Sequence, residues 1–155
     1  MDRVPITKDG YDRLKKELAH LQQVERPQNI KAIEEARAHG DLSENAEFEA
    51  AKNRQGFIEG RIGELGYKLA SADVIDPDTI SKDRAVFGCT VLLEDIDNEE
   101  SIKYQLVGPD ESSIEDGRIS VSSPLGRAIV GKKPGDEIKL QAPGGKRFYD
   151  LVEIL

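Results

Sequence analysis

Between residues 51 and 72, Ala51, Gln55, Ile58, Ile62, Leu65, Leu69 and Ala72 recur at steps of 4, 3, 4, 3, 4 and 3, the spacing of a coiled-coil seam. Tyr11, Leu14, Leu18, Leu21, Glu25, Gln28 and Ala32 give the mirror pattern, 3, 4, 3, 4, 3 and 4. Two helices are therefore predicted. The first is capped by Thr7 and runs to about His39, with Gly40 as the usual residue past a helix end; the second runs from about Asn45 to Ala72. If they fold back on one another, facing residues must have numbers of constant sum. Tyr11 with Ala72, Leu14 with Leu69, Leu18 with Leu65 and so on to Ala32 with Ala51 all sum to 83, which centres the bend between Asp41 and Leu42. The polar seam positions Glu25, Gln28 and Gln55 lie beside Pro27, where a kink or looser packing is expected. Ile30 and Ile33 fall off the extrapolated seam.

At a rise of ~1.5 Å per residue each helix extends roughly 40 to 45 Å. Its narrow apolar stripe is used up by the other helix, so the pair is expected to project into solvent and carry its tip outward. After Ala72 the pattern changes. Pro77 and the run DPDTISKD read as a linker at about 73–84, and strands are predicted at 85–93, 102–107, 118–121, 137–140 and 148–154. One short helix is signalled by Ser123 as cap, Pro124 in its first turn and Gly131 beyond its end. The expected fold class is α+β: an antiparallel helical hairpin over 1–75, then a small antiparallel β-sheet domain with one short helix over 76–155.

With 34% charged residues, 5% aromatics and no Trp, much of the chain must be solvated surface, which suits an extended helical element. No stretch approaches the ~18 apolar residues of a membrane span, and the opening MDRVPITKDG lacks a secretory core, so a cytoplasmic protein with no membrane partner is expected. Cys89, the only cysteine, sits in VFGCTVLL and reads as a buried strand residue. His20 and His39 lack partners at metal-ligand spacing. The net charge of -8 argues against a broad basic nucleic-acid face. The acidity is uneven: residues 1–75 hold 12 basic and 14 acidic side chains, and 76–155 hold 10 and 16. Nucleic acid is therefore expected only at a local patch in the first half.

The bend carries Asp41, Leu42, Ser43, Glu44 and Asn45. Two readings are open from the residues alone. Asp41-x-x-Glu44 fits a capping box, a common device at helix starts. Alternatively, the two acids, with Arg37, Lys52 and Arg54 nearby and Lys31 opposite Lys52 by the same sum, suit a device that holds a divalent metal near a phosphodiester.

The stretch EEARAHGDLSENAEFEAAKNRQGFIEGRI (34–62) resembles the hairpin signature of the GreA/GreB group of bacterial transcript cleavage factors, and SSPLGRAIVGKKPGDEIKLQAPGG (122–145) resembles their second signature. Both motifs are long and stand in the family's order. The resemblance implies an FKBP-like fold for the second domain and RNA polymerase as partner. That domain is expected to dock at the rim of the secondary channel while the hairpin enters it and meets the extruded RNA 3′ end. Asp41 and Glu44 match the tip acids expected to stabilise a second Mg²⁺ of the polymerase active site and orient the attacking water. Leu42, Ser43, Asn45 and Phe48 are their neighbours. Arg37 and Lys52, with Arg54 beside them, match basic positions near the RNA or channel wall. Phe48 departs from the family's usual tyrosine. The resemblance thus implies an accessory factor that is not itself an enzyme, binds no cofactor when free, shares Mg²⁺ with the polymerase and acts as a monomer. Rival readings are an inhibitory channel binder, a passive adaptor, a prolyl isomerase and a free-standing nuclease; retention of DLSEN argues against the first, and two acids make a poor metal site for the last.

Overall fold

The computed structural model describes residues 2–40 and 45–155. The chain divides into two compact units, one of Met1–Val4 and Tyr11–Ala72, the other of Pro5–Gly10 and Asp73–Leu155.

In the first unit the chain runs through α1 (Lys8–His20), whose first three residues group with the second unit, a π-helical turn at Leu21–Glu25 and α2 (Arg26–Ala38), then returns along α3 (Ala46–Ala70). Thr7 caps α1 as expected, its Oγ1 accepting from the Gly10 N–H at 3.1 Å. Gly40 follows α2 with φ +98°, a conformation that only glycine adopts without strain. The seam of α3 follows its predicted spacing: Ala51, Ile58 and Leu65 are buried and Gln55, Ile62 and Leu69 half-buried. Leu21, Ile58 and Leu65 form the packed centre, with Leu14, Leu18 and Ile62 against it.

The ascending seam departs from its extrapolation after Glu25. The buried positions beyond it are Asn29, Ile33 and Ala36, whereas Gln28 and Ala32 are exposed. The π turn is the reason. The Arg26 N–H bonds back to the Leu21 carbonyl, five residues earlier, so this turn holds one residue more than an α turn and every later position moves on by one. Pro27 follows at once; it has no N–H to donate, and its ring would crowd the Gln23 carbonyl of a regular helix. The expected disturbance at Pro27 is thus a widened turn, and it brings Ile33 back into the seam.

Two four-residue strands, β1 (Val4–Thr7) and β2 (Ala72–Ile75), pair with each other; the sequence pattern did not reveal them. The other five, β3 (Thr90–Asp95), β4 (Ser101–Val107), β5 (Arg118–Ser120), β6 (Glu137–Ala142) and β7 (Gly145–Ile154), form one sheet in the order β5-β4-β3-β7-β6. Its pairs are antiparallel except β4–β5, where Gln105 faces Arg118 in parallel. The sheet is mixed because two 3-10 turns, Pro109–Glu111 and Ile114–Asp116, bring the chain back before β5. The short helix α4 (Pro124–Ile129) starts as predicted, with Ser123 Oγ accepting from the Gly126 N–H at 3.0 Å. The core joins Val91, Leu93, Leu106, Ile129, Ile138 and Leu151. Cys89 lies in it, as the loop residue just before β3 and not in a strand as expected, and burial pushes its thiol above the ordinary range, the state of an inert structural cysteine. Among the described residues no helix is long and apolar enough to cross a membrane.

Candidate functional site

The hairpin reverses direction between Ala38, where α2 ends, and Ala46, where α3 begins, in the segment that the seam arithmetic identifies. Asn45 ties the two sides together. Its Oδ1 accepts from the Phe48 N–H at 3.0 Å, which caps α3. Its Nδ2 donates to the Ala36 carbonyl at 2.7 Å, beside the His39 N–H that the same carbonyl accepts at 3.2 Å at the end of α2. The N-cap of α3 therefore falls to Asn45. Asp41, Leu42, Ser43 and Glu44 themselves lie outside the described residues.

Behind the bend, the Arg37 guanidinium lies 5.9 Å from the centroid of the half-buried Phe48 ring, within cation–π range. The phenyl ring thus packs beside the bend without the hydroxyl that a tyrosine would bring. Lys52 is exposed, its Nζ donating to Gln55 Oε1 at 2.9 Å. Arg54 differs from the other two: it forms an ion pair with Glu25 across the hairpin and reaches over the Phe57 ring. A surface ion pair of this kind is worth little and leaves the guanidinium exposed. Lys31 is likewise exposed.

Sequence reasoning missed Asn29. It is buried on the seam and its Nδ2 donates to the Ala51 carbonyl at 2.9 Å, pinning the helices just past the π turn. Two bidentate ion pairs reinforce the shaft: Arg26 with Glu59 at 2.8 and 2.7 Å, and Arg61 with Glu17 at 2.9 Å for both bonds. Sequence reasoning also missed a cavity of about 410 Å³ in the second unit, lined mainly by apolar groups that include Tyr104, Ile114, Ile119, Leu125 and Leu140. Its signal was the Ser123–Pro124 helix start, which sets Leu125 facing the sheet. His20 and His39 are exposed, 3.9 Å from Glu25 and 3.5 Å from Glu47. Among the described residues no group of three or more His, Cys, Asp or Glu side chains is placed to hold a metal ion.

Comparison with known proteins covers both units. Residues 4–74 match the family described as transcription elongation factor, N-terminal, and residues 80–155 the family described as transcription elongation factor, GreA/GreB, C-terminal. The chain is 55% identical over 155 residues to the transcription elongation factor GreA of Neisseria meningitidis serogroup A, covering 99% of this chain and 98% of that one. It is 53% identical over 154 residues to that of Syntrophobacter fumaroxidans, covering 99% of each. Among solved structures, the GreA factor homolog 1 of Thermus thermophilus is 32% identical with a TM-score of 0.44, covering 99% of both chains. The GreA/GreB factor of Nitrosomonas europaea is 25% identical with a TM-score of 0.43, covering 98% of both.

Proposed function

We propose, from the premise that this chain belongs to the GreA/GreB family of transcription elongation factors, that it enters the secondary channel of RNA polymerase and stimulates cleavage of backtracked RNA. The chain reversal between Ala38 and Ala46, closed by Asn45 on Ala36, carries this reading. In the sequence Asp41 and Glu44 fall between the two helices, and Arg37 and Lys52 stand on α2 and α3 either side of them.

Asp41 and Glu44 offer hard carboxylate oxygens, the donors that Mg²⁺ prefers, but two carboxylates are an incomplete set. They fit an ion whose other ligands come from the polymerase and its RNA. Such an ion, when bound, stabilises the charge on the phosphodiester under attack. In this reading the tip acids complete that ion's ligand set and orient the water, while the polymerase supplies the rest of the active site. Arg37 and Lys52 steer the extruded RNA through its phosphates, an effect that weakens with salt. The second unit anchors the factor on the polymerase, and the factor acts as a monomer that is not an enzyme alone.

The test is a purified elongation complex backtracked on its template. Added factor is expected to shorten the RNA from its 3′ end, and Asp41→Ala or Glu44→Ala to abolish the gain while polymerase binding stays within threefold. Cleavage at the normal rate by either alanine variant rules out the metal role.

A further inference from the structure

We infer that Glu111 is a positioning residue for the hairpin: its buried carboxylate clamps the first turn of α1 to the globular unit, and this clamp lets the tip acids act. The inference rests on the function proposed above. The clamp lies within one unit, because Pro5–Gly10 groups with Asp73–Leu155.

Glu111 is a carboxylate only 6% exposed, beside Thr7 at 2%. One of its oxygens, Oε2, accepts from the Thr7 N–H at 3.2 Å and from the Gly108 N–H at 3.2 Å. The other accepts from the Thr7 hydroxyl. That hydroxyl in turn accepts from the Gly10 N–H at 3.1 Å and so caps α1. The Glu111 backbone is also held, its N–H bonded to the Gly108 carbonyl at 3.0 Å and its carbonyl to Arg118 Nε at 2.9 Å. A buried carboxylate is costly unless several donors meet it, and here Thr7, at the start of α1, meets it with both its N–H and its hydroxyl. Gly10 completes the fit. A Cβ at that position would overlap the Glu111 carboxylate, so glycine at the third position of α1 is required by this contact.

A cap alone requires nothing from residue 111, since Thr7 satisfies Gly10 by itself. What the carboxylate adds is attachment. From Lys8 to Ala38 the ascending arm holds 31 residues, about 45 Å at ~1.5 Å per residue. A tilt of about 10° at the first turn of such an arm moves its far end by roughly 8 Å. Catalytic groups lose about a hundredfold for a misplacement of about 1 Å. Slack at Thr7 is therefore felt in cleavage before it is felt in binding.

Glu111→Met keeps the shape and removes the acceptors. Glu111→Gln keeps an acceptor for the two N–H groups and turns its NH₂ toward the Thr7 hydroxyl, which can accept. The full chain with each change is assayed on backtracked elongation complexes, together with competition binding to polymerase and thermal unfolding. Glu111→Met is expected to lower the maximal cleavage rate at saturating factor at least tenfold, with half-saturation within threefold, while Glu111→Gln stays within threefold on both. Gly10→Ala, which pushes the carboxylate away without touching Glu111, is expected to match Glu111→Met. A normal maximal rate for Glu111→Met, or losses of cleavage and binding in equal proportion, overturns the positioning role. If the unaltered protein itself fails to promote cleavage, the proposed function falls and the clamp is judged on amide exchange alone. Thr7 and Gly108, whose N–H groups donate to the carboxylate, are then expected to exchange at least tenfold faster in Glu111→Met, and unchanged exchange overturns the clamp.

Discussion

Asn45 spans the bend: while its Oδ1 caps α3, its Nδ2 holds the Ala36 carbonyl of the opposite helix at 2.7 Å. One side chain thus satisfies an orphan donor of one helix and brings a second donor to a carbonyl in the last turn of the other. The two roles separate by substitution. Asn45→Ser keeps a capping oxygen and loses the cross-bend donor, and is expected to cost about 1 kcal/mol, the net worth of one hydrogen bond. Asn45→Ala loses both and is expected to cost about 2 kcal/mol. Urea unfolding followed by helical circular dichroism measures the difference; equal costs mean that the cap contributes nothing.

The π turn before Pro27 holds one residue more than the seam needs. Removing exposed Gln23 together with Pro27→Ala is therefore expected to convert it to a regular α turn, keep Asn29, Ile33 and Ala36 facing α3, and leave stability within about 1 kcal/mol. Ile33→Ala, which empties a buried seam position, is expected to cost about 2 to 4 kcal/mol. Unfolding midpoints of the two variants decide the matter. A shortened hairpin that unfolds as readily as Ile33→Ala means that the extra residue does more than accommodate the proline.

This turn also marks where the sequence stopped being legible. Below Glu25 the residue numbers alone gave the seam, because both helices keep 3.6 residues per turn and facing positions stay in step. One inserted residue breaks that arithmetic, and only the misfit of Ile30 and Ile33 signalled it. The strands from β4 onward were legible from alternation, and α4 from its cap and its proline; the strand expected at 85–93 starts only at Thr90, since 85–89 form a loop with Gly88 at φ +90°. Strands β1 and β2 were not, since four residues are too few to show a period. Pairing across the chain was equally hidden: nothing local links Thr7 to Glu111, 104 residues apart. At the bend, spacing alone could not separate a capping box from a metal site, and it did not single out Asn45 as the N-cap of α3.

Ion pairs along the shaft make hairpin stability depend on acidity. The side-chain hydrogen bonds from Arg26 hold Glu59 below the ordinary carboxylate range, and those from Lys68 and Arg61 do the same for Glu64. Because the folded values are depressed, the stabilisation is present above the unfolded carboxylate value of ~4.3 and is lost as pH falls through the lower folded values. The unfolding temperature is expected to fall as pH drops below about 4.3, and Arg26→Gln is expected to flatten part of that fall. Both glutamates are exposed, so 1 M salt should shrink the effect. A pH profile that Arg26→Gln leaves unchanged assigns the acid sensitivity to other carboxylates.

Four glycines, Gly56, Gly60, Gly63 and Gly66, interrupt the 25-residue helix α3. At each, an added Cβ meets no atom within 4 Å, and none has a positive φ. Neither packing within the chain nor backbone geometry therefore calls for glycine, although each costs about 0.5 to 1 kcal/mol relative to alanine by the freedom it gives the unfolded chain. Gly60→Ala and Gly63→Ala are each expected to stabilise the hairpin by about that amount, and the pair together by about 1 to 2 kcal/mol, since two methyl groups in open space have little means to interact. Thermal and urea unfolding check the gain. Cleavage assays on the same variants then show whether the bare face has a use: on the present structure the maximal rate and half-saturation are expected to stay within threefold. A factor that becomes more stable yet needs much higher concentration to act would instead mean that a polymerase surface approaches α3 closely enough to require glycine.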